Sequence, residues 1–328
     1  MHKTFLNHAQ FTPVIKSGKI QTILASMIGS NKVPTYHREH VKLPDGDRLL
    51  IDISQPKDWQ ITDPTVVLMH GLCGCSRSDY ILRMADLFLK ENLRVVRVNL
   101  RGQGDEHRIY AKKIYHAGCS DDLKQVLMYL SAQAPDSKNI VIGFSISGNV
   151  LLKMLGEMKD AAKSLVDYAI AICPPTDLAK CSEVINEPRN HAFQRYFLKL
   201  LIKMVEKRHK MYPELGSVPI LNKHIPLYVF DDQYTSIQAG FTSADEYYDQ
   251  CSSIKELDQI TVKTDILLSL DDPFVDNTKI MKLDLPESVT VHATEHGGHM
   301  GYLEKPKGFK LISRWMDKRL LHWVQSHL

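Results

Sequence analysis

The chain has 328 residues, 44% hydrophobic and 24% charged, with 41 Lys plus Arg against 38 Asp plus Glu and a formal charge of +3. That balance excludes the domain-wide basic excess of a nucleic-acid binder, and six cysteines in so long a chain do not make a disulfide framework. No stretch approaches the ~20 mostly apolar residues of a membrane-spanning helix, and the opening Met-His-Lys-Thr-Phe-Leu-Asn-His has no signal-peptide core, so a soluble, reduced, cytoplasmic protein is expected.

Along the chain, short apolar runs alternate with helical patterns, which implies a mostly parallel sheet covered on both faces. Pro44-Asp-Gly46 marks a turn, and Arg48 to Ser54 reads as a strand leaving a hairpin. Thr65 to Met69 is a buried strand that closes on His70-Gly71-Leu72. A His-Gly-x loop at this place in the sheet supplies a backbone N–H to an oxyanion hole, and Leu72 is the donor assigned here. His70 reads as a residue that holds this loop by hydrogen bonds, and Cys73 and Cys75 as buried, inert thiols. Leu93 to Leu100 is the next strand. A helix is then expected from a capping Ser120, with Asp121 and Asp122 at its N-terminus and Leu123, Val126, Leu127 and Leu130 on one face.

The strand Asn139 to Gly143 runs into Gly143-Phe-Ser-Ile-Ser-Gly148, a Ser between small residues where a strand gives way to a helix. A nucleophile elbow needs this arrangement, because the tight turn lifts the Ser145 hydroxyl clear of the sheet. The helix that follows aims its first amides at the same point, so Ile146 is the second oxyanion donor. The usual pattern is Gly-x-Ser-x-Gly, and Ser147 stands in its fifth position.

Ala169 to Cys173 is a further strand, followed by Asp177. Residues 179–222 then break the rhythm with one long helical pattern, which reads as an inserted helical lid on a core made of 1–178 and 223–328. From Lys180 to His224 nine Lys or Arg face four Glu, a local charge of +5. Arg195, Lys199, Lys203, Glu206 and Lys207 share one helical stripe, and Phe193, Phe197, Leu200, Leu201, Met204 and Val205 face away from it. The favoured reading is a cap helix with its apolar side on a pocket and its basic side in water; docking on an anionic membrane surface is the alternative. Asp231 and Asp232 fall off the sheet order and read as groups with structural partners.

Asp265 to Leu270 is a strand ending in Leu270-Asp-Asp-Pro-Phe-Val275, where a carboxylate can orient an imidazole. Asp271 and Asp272 are both candidates, with Asp177 the rival. The strand Ser288 to Ala293 leads into Glu295-His-Gly-Gly-His-Met-Gly301, in which His299 follows the flexible pair and reads as the base, and His296 as a solvent-facing or supporting residue. Pro306 to Gln325 is expected as a C-terminal helix. Neither Cys73-Gly-Cys75 nor His296-x-x-His299 gives the paired spacing of a zinc site, so no metal is expected.

A Ser, then an Asp, then a His, each on a loop after a strand, is the order of the α/β-hydrolases. The chain resembles that superfamily, and within it the YheT-like esterases, over nearly its whole length. The resemblance is carried by Gly18-Lys-Ile-Gln-Thr-Ile23, His70-Gly-Leu-Cys-Gly-Cys-Ser76, Asn99-Leu-Arg-Gly102 and Tyr115-His-Ala-Gly118. Phe230-Asp-Asp, Gly240-Phe-Thr-Ser243, Tyr247-Tyr248, Leu270-Asp-Asp-Pro-Phe274 and Gly297-Gly-His299 complete it. It implies Ser145 as nucleophile, His299 as base and, as the residue before Pro-Phe, Asp272 as the acid. The reading is a cofactor-free hydrolase of small-molecule or lipid-like esters acting through an acyl-enzyme on Ser145. An alcohol acyltransferase with the same triad and a non-catalytic hydrolase-fold binding protein are its rivals.

Overall fold

A computed structural model of the protein describes residues 3–6, 10–29, 32–104, 108–217, 222, 224–305 and 312–328. The apolar runs become strands β1 (Lys3–Leu6), β2 (His37–Lys42), β3 (Arg48–Ser54), β4 (Thr65–Met69), β5 (Arg94–Asn99), β6 (Asn139–Phe144), β7 (Tyr168–Ile172), β8 (Thr264–Ser269) and β9 (Val289–Thr294). They form one sheet in the order β1-β9-β8-β7-β6-β4-β5-β3-β2. β2 and β3 pair antiparallel, as do β3 and β5; every other pairing in this sheet is parallel.

The helices are α1 (Gly18–Met27), α2 (Asp79–Lys90), α3 (Ser120–Gln133), α4 (Ile146–Met158), α5 (Leu178–Asn186), α6 (His191–Met211), α7 (Leu227–Phe230), α8 (Ser236–Ala239), α9 (Ala244–Cys251) and α10 (Trp315–Gln325). Successive strand residues point to opposite faces, so each strand feeds two cores. Val67, Val96, Val141 and Ile266 pack under α3 and α4. Val66, Val95, Ile140 and Ile170 pack under α2 and α10. No helix among the described residues is long and apolar enough to cross a membrane.

Two expectations are corrected. Ser120 is the first residue of α3 rather than its cap: its own N–H already donates to the Gly118 carbonyl, and the helix is entered from Cys119. The C-terminal helix starts at Trp315, not Pro306. Residues 306–311 lie outside the described residues, and Ser313–Arg314 (β11) is extended because it pairs antiparallel with Leu303–Glu304 (β10). Beyond 222, where the lid is expected to end, further helices run as far as Cys251. The cause is apolar packing: Phe230 and Tyr234 close against Leu198, Leu201 and Val205 of α6. Residues 218–221 and 223, near that expected boundary, lie outside the described residues.

The Asn99-Leu-Arg-Gly102 run serves the fold. Arg101 forks onto Asp122 of α3 through Nε and Nη2, both at 2.7 Å, while Nη1 donates to Asp45 and Asp47 of the β2–β3 turn, each at 2.8 Å. Arg101 and Asp122 are both buried. Removing one member of a buried pair leaves an uncompensated charge, which costs about 3–5 kcal/mol. Arg101→Met is therefore expected to lower the unfolding free energy by about that much in urea denaturation; a loss below about 1 kcal/mol would contradict this account.

Candidate active site

Four loops converge at the carboxyl ends of β4, β6, β8 and β9, the edge at which parallel sheets present their ligand sites. β6 pairs with β7 up to Ser145, whose N–H still donates to the Ile172 carbonyl at 2.8 Å. The chain then turns within one residue: Ser145 has φ 55 and ψ −121, and α4 begins at Ile146. A side chain held at positive φ is strained and persists only where its surroundings fix it. Here Gly143 makes room, since a Cβ on it would lie 2.5 Å from the Ser147 carbonyl oxygen. Ser147 fits because it is fully buried and its hydroxyl donates to the His70 carbonyl, tying the elbow to the neighbouring loop.

That neighbouring loop is pinned almost atom by atom. Gly71 N–H donates to Tyr80 Oη at 2.6 Å and Cys73 N–H to Tyr115 Oη at 2.8 Å. Ser76 N–H donates to Asn99 Oδ1 at 2.9 Å. His70 is buried between Gly71 and Leu100: its Nδ1 donates to the Gly71 carbonyl and its Nε2 accepts from Leu100 N–H. Burial pushes its pKa down to about 4, so the ring is neutral and suits this double role. Between these anchors, the N–H groups of Leu72 and Ile146 have no hydrogen-bond partner among the described residues. Unpaired amides beside Ser145 are the donors an oxyanion would use.

The two adjacent carboxylates separate cleanly. Asp272 is buried, takes the N–H groups of Phe274 and Val275 on Oδ1, and meets His299 Nδ1 through Oδ2 at 2.7 Å. His299 Nε2 lies 2.9 Å from Ser145 Oγ. A carboxylate only accepts, so Nδ1 carries the hydrogen and Nε2 is left to accept from Ser145. Asp271 instead accepts from Ser269 Oγ (2.7 Å) and Gly298 N–H (2.8 Å), with His296 Nδ1 at 3.2 Å. Asp177, the rival acid, caps α5 through Lys180 N–H and meets Lys279 at 3.3 Å.

The sequence reading gave no role to α1, which props the histidine loop. Thr22 Oγ1 accepts from His299 N–H at 2.9 Å, and Gln21 Oε1 accepts from Leu303 N–H at 2.7 Å. Gly298, at φ +61, sits so close to this helix that a Cβ would lie 2.1 Å from the Gly18 carbonyl oxygen. The signal was present in the Gly18-to-Ile23 run, which carried resemblance without an assigned task. Tyr115 and Asn99, from two other such runs, are loop anchors of the same kind.

Cys173 Sγ, Asp272 and His299 bring potential metal-ligating atoms within 4.8 Å of one another. The group suits hydrogen bonding better than a metal: burial and the Asp272 charge push the Cys173 thiol well up, and both His299 nitrogens are already engaged.

Two spaces open on Ser145. One is a cavity of about 140 Å³ with apolar walls that include Leu178, Ile185, Phe197 and Leu201; Ser145, Ile146 and His299 also line it. The other is a wider groove of about 610 Å³ between α1, α2, the Gly71–Ser78 loop and α6. Phe197 of α6 lines both. Asp232 accepts from Ala244 N–H and braces α9, whereas Asp231 lines the cavity, beyond the structural role expected of it.

A family model described as alpha/beta hydrolase fold matches residues 64–306. The YheT protein of Escherichia coli (strain K12), named as an esterase, is 30% identical over 99% of this chain and 95% of its own. Phospholipase ABHD3 of Bos taurus is 27% identical over 93% of this chain and 75% of its own. Among solved structures, the Pyrococcus furiosus esterase Pf2001 matches with a TM-score of 0.56 at 18% identity, covering 91% of this chain and 97% of that one. At that identity the likeness speaks for the fold alone.

Proposed function

The chain belongs to the alpha/beta hydrolase fold family, and from that premise we propose that it hydrolyses carboxylic esters through an acyl-enzyme on Ser145. The observation that supports this is the unbroken relay from Asp272 through His299 to Ser145, at 2.7 and 2.9 Å, ending beside two unpaired amides. In this reading His299 Nε2 takes the Ser145 proton as Oγ attacks the ester carbonyl. Leu72 and Ile146 N–H groups stabilise the oxyanion, and Asp272 steadies the imidazolium. His299 then gives its proton to the leaving alcohol. Water, deprotonated by the same nitrogen, releases the acid and restores Ser145. The chemistry needs no cofactor.

The test is labelling of the whole protein with a fluorophosphonate probe, alongside a panel of chromogenic esters of graded chain length. Labelling of Ser145 with turnover is expected. Neither labelling nor turnover would point to a binding protein, and preferential formation of new ester from added alcohol to an acyltransferase.

We further propose that 179–222 works as a lid rather than a membrane anchor. Leu198, Leu201 and Val205 already spend the apolar side of α6 on Phe230 and Tyr234, while Arg195, Lys199 and Lys203 face water. Lys199→Glu with Lys203→Glu is therefore expected to leave hydrolysis of short soluble esters within about twofold, as for surface changes away from packed contacts. Little wild-type protein should pellet with anionic vesicles. A membrane-docking reading has one observation in its favour: Ile20, Ile23 and Met27 of α1 are exposed, and Ile23 and Tyr196 flank the groove. Salt-sensitive pelleting abolished by the double reversal would establish that reading instead.

A further inference from the structure

We propose that the cavity beside Ser145 carries a hydroxyl-binding subsite, in which a hydroxyl on the substrate chain donates a hydrogen bond to the Asp231 carboxylate. The inference rests on the ester-hydrolase reading of Ser145 and adds a substrate class to it: esters whose chain bears a free hydroxyl.

Asp231 is half-buried and lines the cavity. Tyr248 Oη donates to its Oδ2 at 2.7 Å, and the Thr235 side chain lines the cavity beside it. Ser182 Oγ stands 3.2 Å behind Tyr248 Oη, and all four residues line the cavity. The network supplies a donor to a carboxylate and leaves its remaining acceptor capacity for the space in front of it. No basic side chain among the described residues pairs with Asp231. A buried, unpaired carboxylate is costly in apolar surroundings, and burial raises its pKa to about 6. A structural carboxylate needs no cavity before it; a binding carboxylate does. Asp231 also opens a π-helical turn, Asp231–Thr235, a local distortion that recurs at functional sites.

The neighbouring groups select a hydroxyl over an ammonium. Gly118 N–H donates to His116 Nδ1, so the hydrogen of this ring is on Nε2, and burial holds the ring neutral with a pKa of about 4. His116 lines the same cavity, and its Nε2–H has no partner among the described residues. Tyr247 bridges this ring to Tyr248, with ring centroids 6.0 and 5.3 Å away. The wall thus offers a strong acceptor and a spare donor. A hydroxyl-bearing chain can donate to the one and accept from the other, whereas an ammonium only donates.

The test uses the whole protein and a panel of esters of graded length, in three matched series ending in methyl, hydroxyl or primary ammonium. Each series is made once in the acyl half and once in the alcohol half of the ester. At one chain length the hydroxyl ester is expected to exceed its methyl counterpart by about 10- to 100-fold in kcat/KM, the worth of a hydrogen bond to a charged acceptor. Asp231→Leu should reduce that ratio to one or below. If the Leu variant does not fold, Asp231→Asn should lower the ratio at least severalfold. Preference for methyl at every length, or a ratio that survives these substitutions, would overturn the proposal. Preference for ammonium would make the subsite cationic and overturn it as well. Absence of turnover on every ester would instead be a failure of the ester-hydrolase reading itself.

Discussion

If Ser145 is the nucleophile as proposed, Ser145→Ala is expected to lose about six orders of magnitude in kcat, as removal of the nucleophile does in serine proteases, while the protein keeps its fold. The substitution removes a single oxygen whose hydrogen-bond partner is His299 Nε2. The strained turn at φ 55 is imposed by what surrounds it: the Ile172 carbonyl holding Ser145 N–H, the tight Gly143–Ser147 approach, and the Ser147 bond to His70. None of these contacts involves the hydroxyl. Ester assay and circular dichroism on the same preparation read both halves of the expectation, and the fluorophosphonate label should vanish. Turnover above a few per cent of wild type with an unchanged spectrum would remove Ser145 from the mechanism.

Asp272→Asn should follow with a loss of about 10⁴ in kcat, because an amide facing Nδ1 favours the tautomer whose Nε2 can no longer accept from serine. The neighbouring Asp271→Asn should cost about tenfold or less. Its carboxylate holds Gly298 N–H, Ser269 Oγ and His296, so its loss loosens the loop without altering the His299 ring. The stability cost of such a weakened bond is about 1–3 kcal/mol. The contrast between the two variants is the decisive quantity. A larger activity loss for Asp271→Asn would exchange their roles, and indifference to both would return attention to Asp177.

The central strands could be read from sequence because each buries both faces and carries an unbroken apolar run, as in Thr65–Met69 and Tyr168–Ile172. β1 and β2 could not: Lys3–Leu6 is short, and His37-Arg-Glu-His-Val-Lys42 is polar because it lies at a sheet edge. Ser145 and His299 stood out through their order with an Asp between them, each on a loop after a strand, since a Gly-bounded Ser or His alone is a modest signal. Choosing between Asp271 and Asp272 required the resemblance, since two adjacent carboxylates look alike until the loop turns them toward different histidines. Thr22 had no signal of its own. Its task exists only because α1 meets a loop 277 positions away, and no local pattern encodes a contact of that range.

That long reach has a consequence for how the protein comes into being. The serine and its loop amides leave the ribosome first, and the imidazole that must meet them is 154 residues behind. At ordinary synthesis speeds this is a delay of roughly 8–30 s. During it the growing chain holds a mute serine, and α1 waits for a loop that does not yet exist. On the proposed mechanism reactivity begins only when the two distant parts of the polypeptide close on each other, so a chain interrupted before residue 299 would carry a nucleophile without its base.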